Sequence, residues 1–264
     1  MKPKILYLVT TILSCGLFCA CSNDYTDIEF GSVTVDRQVK LTDEEKSPEC
    51  KVHLQIHFAT NENSEVARIV NDAIESRLFS MELLDMQQAA DSFANQYTGK
   101  YLRDMLPLYK EDRSDTTKRA WYEFHYVVTT NTQKGRKGIA VYQITTDYYE
   151  GGAHGINQTT TINFDTKTGK PLSLDDVFVP GYAKELNKIL LQALKDKVGV
   201  SSTRELHDKG YLLSMDIFAP RNFILGDETI TFIYNIYEIA PYAMGTTELA
   251  IGYNDLKALL KKTE

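Results

Sequence analysis

The sequence predicts an α+β fold: a mainly antiparallel sheet covered by helices on one face, built as two adjoining subdomains. Three observations carry this reading. Cys50, Val52, Leu54, Ile56 and Phe58 alternate with Lys51, His53, Gln55 and His57, the period of a half-buried strand. Val66, Ile69, Val70, Ala73, Ile74 and Leu78 recur at the spacing of an amphipathic helix. Between residues 121 and 164, three segments rich in Tyr, Val, Ile and Thr are separated by glycine-bearing turns.

Lys2 and Lys4 precede an apolar run from Ile5 to Phe18 and then Cys19-Ala20-Cys21, the pattern of an export signal. A spanning helix needs about 20 apolar residues and a basic stop, whereas here polar Ser22-Asn23-Asp24 follows at once. Residues 1–20 resemble a bacterial lipoprotein signal, which implies cleavage before Cys21, lipidation of its thiol, and a place in the cell envelope, on the outer membrane, facing periplasm or exterior. An ordinary signal peptide cleaved nearby is the alternative. Cys15 and Cys19 leave with the signal, so only Cys50 remains in the folded part and no internal disulfide forms. Cys50 is expected to be a small buried residue.

Losing Lys2 and Lys4 takes the formal charge from −7 to −9. Such a charge argues against nucleic acid and against anionic membrane faces, and favours a basic protein partner. Residues 21–47 form a tether whose alternating piece, Ser32 to Val39, is suited to an edge strand. An N-terminal domain follows at 48–168 and a C-terminal one at 169–264. On the first strand, His53 and His57 lie about 13 Å apart, too far to grip one metal, and are assigned to solvated surface. The first helix has Asn63 or Ser64 as its cap. A second helical run starts near Met81, carries Leu84, Ala90, Phe93, Ala94, Tyr97, Tyr101, Met105 and Leu106, is weakened at Gly99, and ends at Pro107. Its stripe Phe93, Tyr97, Tyr101 is spaced for core packing.

Strands are then expected at 121–130, 138–149 and 158–164, with turns at 133–138, 150–156 and 165–169, an antiparallel meander. Ser173-Leu-Asp-Asp176 resembles a helix-start box. Tyr182, Leu186, Ile189, Leu190, Ala193 and Leu194 mark a further helix, and a short one runs from Thr203 to His207 before Gly210. Strands at 223–225, 229–237 and 248–253 precede a last helix capped by Asn254, with Leu256, Leu259 and Leu260 on it.

Most catalytic signatures are missing: the Gly-Xaa-Ser-Xaa-Gly elbow, His-Glu-Xaa-Xaa-His, a phosphate-binding loop and paired Cys-Xaa-Xaa-Cys. What remains is a set of acids and histidines with no fixed geometry: Glu123, His125, Asp147, Glu150, His154, Asp165, Asp175, Asp176 and Glu238. No catalytic residue, metal or cofactor is assigned. Two loops stand out. In "YYEGGAHGI", Tyr148 to Ile156, the glycines make a hairpin corner in which His154 bonds a backbone carbonyl; alternatively the corner presents Tyr149, Glu150 and His154 for recognition. In "YEIAPYAMG", Tyr237 to Gly245, Pro241 breaks a strand, Tyr242 and Met244 suit either a recognition surface or a core plug, and Glu238 is to be partnered by His154 or an arginine.

Gly151-Gly-Ala-His154, "NFDTKTGKPLSLDDVF" (Asn163 to Phe178) and "YEIAPYAMG" together resemble a known pair of domains of unknown function. The pair is similar to the extracellular part of RsiV-like, lysozyme-sensing anti-sigma factors, and its first member resembles the domain that precedes the catalytic domain in PdaC-type peptidoglycan deacetylases. The resemblance covers roughly Cys50 to Leu260 and implies an α+β fold whose second domain binds a lysozyme-type protein. The chain shows neither a sigma-binding segment nor a deacetylase domain with its metal ligands, so neither activity is carried over. The expectation is a lipid-anchored, non-catalytic binder of a lysozyme-like wall hydrolase or of cell-wall glycan, with Tyr149, Glu150, His154, Tyr242 and Met244 as its surface. The alternative is a hydrolase of glycan or peptidoglycan fragments in which Glu150 and His154 work with Asp147 or Glu238.

Overall fold

The structure, a computed structural model, describes residues 28–61, 64–79 and 85–262. The signal segment, Cys21, Asn63, Met81 and Leu84 lie outside the described residues. β1 (Phe30–Lys40) and β2 (Glu49–Ala59) form an antiparallel hairpin, so the stretch assigned to a tether contains an eleven-residue edge strand. α1 (Glu65–Phe79) and α2 (Met86–Asp112) follow, then a 3-10 turn, Thr116–Tyr122. β3 (Phe124–Lys134), β4 (Ile139–Tyr149), β5 (Ile156–Asp165) and the two-residue β6 (Pro171–Leu172) complete a sheet in the order β1-β2-β3-β4-β5-β6. All its pairs are antiparallel except β2 with β3, where the intervening helices return the chain to the end from which β2 started.

α2 departs from the expected helix by running through both Gly99 and Pro107. Pro107 is solvent-exposed, so the carbonyl of Arg103 that loses its donor faces water, and the next turn sets Tyr109 into the core. α1 starts with Ser64 Oγ accepting from Ala67 N at 3.4 Å, and α2 starts with Asp85 Oδ1 accepting from Gln88 N at 2.9 Å. Cys50, Val52, Leu54 and Ile56 are buried, as the alternation required, and pack with Ala67, Val70, Ile74, Ala90, Ala94 and Tyr101 from the helices.

The second module comprises α3 (Leu174–Val177), α4 (Ala183–Val198), α5 (Thr203–Asp208), β7 (Phe223–Leu225), β8 (Thr229–Tyr234), β9 (Thr247–Gly252) and α6 (Tyr253–Leu256). β7, β8 and β9 form an antiparallel sheet. α4 lays Leu186, Leu190 and Leu194 on it and stops at Gly199 in the left-handed conformation. The last helix is capped by Gly252 rather than Asn254 and has only four residues.

Strand parity joins the two modules. On β4, Tyr142 and Ile144 enter the helix-covered core, whereas Ile139 and Val141 enter the core of the second module on the opposite face. The sheet is therefore covered on both faces where β4 and β5 lie, and not by helices alone. Asparagine side chains make much of the polar joint, together with a backbone bond from Arg136 N to Leu225 O at 2.9 Å. β6 pairs only with Asn163 and Phe164. Further along β5, Thr159 N donates to Asn235 Oδ1 at 2.8 Å, Thr159 O accepts from Asn235 and Asn222, and Thr161 N donates to Asn222 Oδ1 at 2.8 Å. Asn163, 1% exposed, donates to Phe223 O at 2.7 Å and accepts from Leu225 N at 2.8 Å. These amides do for the strand edges what another strand would do. Gly135 allows the close approach: a Cβ there would stand 2.4 Å from Leu225 O.

Candidate functional site

The register of β3, β4 and β5 decides where each candidate side chain points. Tyr126 opposes Tyr148, and His125 opposes Tyr149. Tyr126 and Tyr148 face the helices, where Tyr126 meets Phe93 and Tyr97 with ring centroids 5.1 and 4.9 Å apart. Glu150 follows that parity: its Oε1 accepts from Tyr97 OH at 2.8 Å. Burial first, then this hydrogen bond, pushes the Tyr97 phenol well above its ordinary pKa, so it stays a donor. Tyr97 thus does more than fill the core as its spacing predicted; it pins the start of the Glu150 corner to α2.

On the other face, Tyr149 stacks on His125 at 6.3 Å, and His125 Nε2 meets Asp147 Oδ1 at 2.8 Å. Asn157 Nδ2 donates to Asp147 Oδ2 at 3.2 Å. Tyr149 OH donates to Gly152 O at 2.9 Å, folding the corner back on its own strand. Gly151 is required there, since its φ is +85° and a Cβ would lie 2.8 Å from Trp121 O. That approach places the chain's single tryptophan, 55% exposed, beside the corner.

His154 points to the second module. Its ring stacks on Tyr242 with centroids 3.9 Å apart and planes 16° from parallel, and its Nε2 lies 2.9 Å from Tyr237 OH. His154 Nδ1 is 3.2 Å from Gly155 O, an acceptor only. In the neutral ring Nδ1 then carries the proton and Nε2 accepts from Tyr237 OH. The carbonyl bond expected of His154 is present, and it orients the ring for a contact between modules that the sequence did not reveal. Tyr237 completes the cluster, 5.9 Å from Tyr242, with φ of +67° and 57% exposure. Nothing in "YEIAPYAMG" announced a non-glycine residue in the left-handed region, so Tyr237 was missed as a member. Met244 stands exposed on the short 3-10 turn Tyr242–Met244.

The five predicted residues are thus divided. Tyr149, His154 and Tyr242 belong to one patch with Tyr237 and His125, Met244 flanks Tyr242 on its turn, and Glu150 turns toward α2. Glu238, expected to pair with His154 or an arginine, instead accepts from Asn235 N at 2.7 Å, closing its own turn. The remaining acids are scattered: Glu123 caps Glu49 N, Asp165 orders its own turn, Asp176 caps α3 through Ser173 N, and Asp175 is exposed. Among the described residues no three His, Cys, Asp or Glu side chains are placed to hold a metal. No helix among them is long and apolar enough to cross a membrane. Cys50 is buried, and desolvation pushes its thiol up to about 12.

Residues 175–254 match a family described as a protein of unknown function, DUF3298. The solved structure of a DUF3298 family member from Bacteroides fragilis NCTC 9343 superposes with a TM-score of 0.84 at 30% identity, covering 90% of this chain and 96% of that one. A DUF3298 family protein from Pseudomonas aeruginosa PAO1 shares the fold, with a TM-score of 0.59, 18% identity, and coverage of 89% and 95%. Among curated proteins, the peptidoglycan-N-acetylmuramic acid deacetylase PdaC of Bacillus subtilis (strain 168) is 26% identical over 209 residues. That match takes in 76% of this chain, which spans 42% of PdaC's length.

Proposed function

The chain belongs to the DUF3298 family, and on that premise we propose that it is a lipid-anchored, non-catalytic binding protein of the cell envelope. Its partner is a basic, lysozyme-like wall hydrolase, met by the paired loops Tyr149–Gly155 and Tyr237–Gly245. The observation that carries this reading is the stack of His154 on Tyr242, closed by Tyr237, which makes one exposed aromatic patch out of two modules. Tyr and Trp side chains dominate binding energy where they are rigid and accessible. Asp147 lies beside the patch through its contact with His125, and the net charge of −7 favours a cationic partner. The likeness to a protein named for peptidoglycan deacetylation supports a wall-related setting.

Wall glycan is the second reading, favoured by the 57% exposure of Tyr237, whose ring offers a stacking face. The hydrolase alternative has less support, because Glu150, His154, Asp147 and Glu238 each bond to a different element: α2, the 237–242 loop, His125 on β3, and the Asn235 turn. Calorimetric titration of the purified chain with lysozyme-type hydrolases and with muropeptide oligosaccharides tests the proposal. Binding lost in a Tyr242→Ala variant that keeps its fold supports it. A folded wild-type chain that binds neither class sinks it, and release of sugar fragments would move the assignment to the hydrolase.

A further inference from the structure

A recess of about 610 Å³ opens on the second module, between α4 and the segment that follows α5. One wall is the outer stripe of α4, where Lys184, Lys188 and Leu191 line up at helical spacing while Leu186, Leu190 and Leu194 face the sheet. The other wall is the segment 212–217, and His207 on α5 closes one end. Leu212 is held at a φ of +55°, a region that costs a side chain of this kind energy. Its own side chain turns inward, 3% exposed, whereas Leu213 stands 63% and Met215 43% exposed on the rim. Neighbouring large apolar side chains in water, beside a recess, mark an interaction surface.

The shape of this surface selects its occupant. A small molecule seated in the recess would leave Leu213 in water. A second copy, turned about a two-fold axis through the recess, lays the 212–217 wall of each copy on the α4 wall of the other. One patch then supplies both the protrusion and the hollow, as an isologous contact requires. The charges agree with that symmetry. Lys184 stands on the α4 wall and Asp216 on the opposite one, and neither has an ion-pair partner among the described residues. Lys188 is already engaged by Glu185 at 2.7 Å. The two-fold sets Lys184 of each copy toward Asp216 of the other, so the opposite charges meet twice.

We propose that this face is a homodimer interface, with Leu213 and Met215 of each copy packed against α4 of the other. The dimer does not depend on what the aromatic patch binds. Leu212 N also donates to Ile239 O at 2.8 Å, so the same segment holds the loop that carries Tyr237 and Tyr242. Two copies joined here present two aromatic patches in one assembly, and a multivalent partner gains avidity from them.

Sedimentation velocity of the purified full chain in detergent, over a wide concentration range and at physiological salt to screen the net charge of −7, reads the assembly. A concentration-dependent monomer–dimer equilibrium is expected. Lys184→Glu and Asp216→Lys each bring like charges together at both symmetric contacts, and each should weaken the dimer about tenfold or more. Mixing these two variants restores opposite charges at both contacts, and the mixture should associate as the wild type does. Leu213→Glu should leave a monomer with unchanged circular dichroism and Tm, because the side chain is exposed in the single copy. A wild-type chain that stays monomeric at every concentration overturns the proposal, even where a different protein is found on this face. So does a dimer indifferent to Leu213→Glu, or a pair of charge variants that fails to associate on mixing.

Discussion

Replacing Asn163 with alanine tests the joint between the two modules. The side chain is 1% exposed and forms two short bonds, one to Phe223 O and one from Leu225 N. Phe223 O keeps a second donor, Thr161 Oγ1 at 2.8 Å, whereas Leu225, itself fully buried, loses the acceptor for its amide. Stranding one buried amide costs about 1–3 kcal/mol, and the cavity left by the amide group raises the total to about 2–4 kcal/mol. At roughly 2–4 °C per kcal/mol for a chain of this size, the Tm should fall by about 5–15 °C. Thr161→Val removes one of two donors to Phe223 O and should cost about 1 kcal/mol. Thermal and urea denaturation measure both variants, and hydrogen exchange should show Leu225 losing protection first. A loss below about 0.5 kcal/mol for Asn163→Ala, the scale of an ordinary surface change, would refute the claim that this amide ladder holds the modules together.

Burial lowers the pKa of His57, whose Nδ1 is 3.0 Å from Thr130 Oγ1. The unfolded chain therefore takes up the proton first, and stability present above about pH 6.5 should decline as pH falls through that value toward the folded one, by at most about 1.4 kcal/mol per pH unit. Urea titrations at pH 7.5 and 5.5 should show the decline, and His57→Gln should flatten it. His154→Ala removes the Tyr242 stack and the Tyr237 bond; a loss of about 1–2 kcal/mol in partner affinity is expected by calorimetry, with little change in Tm. Tyr97→Phe frees Glu150 into water at a stability cost of about 1 kcal/mol or less, and faster exchange confined to residues 150–155 is its signature. The Cys50 thiol, buried and pushed up to about 12, should react with maleimide only after denaturation.

Much of this architecture follows from local chemistry. The alternation from Cys50 to Phe58, the stripes at 66–78 and 182–194, and the Ser173–Asp176 start signal each specify an element, because burial on one face imposes a period of two or 3.6 along the chain. The same locality explains the misses. Pro107 removes one helical hydrogen bond, and the exposure that lets the freed carbonyl meet water was not written in its neighbours. The role of Asn163, Asn222 and Asn235 as substitute strand edges needed β5 and β7 side by side, sixty residues apart in sequence. The direction of each side chain in the Glu150–His154 corner was likewise decided by pairing. Sequence alone determined that glycines build a turn there and that a histidine can bond its own backbone. Only the tertiary structure sent Glu150 to Tyr97 on one face and His154 to Tyr237 and Tyr242 on the other. Strand parity fixes a side chain's face, but what waits on that face depends on which distant segment the core packing brings there.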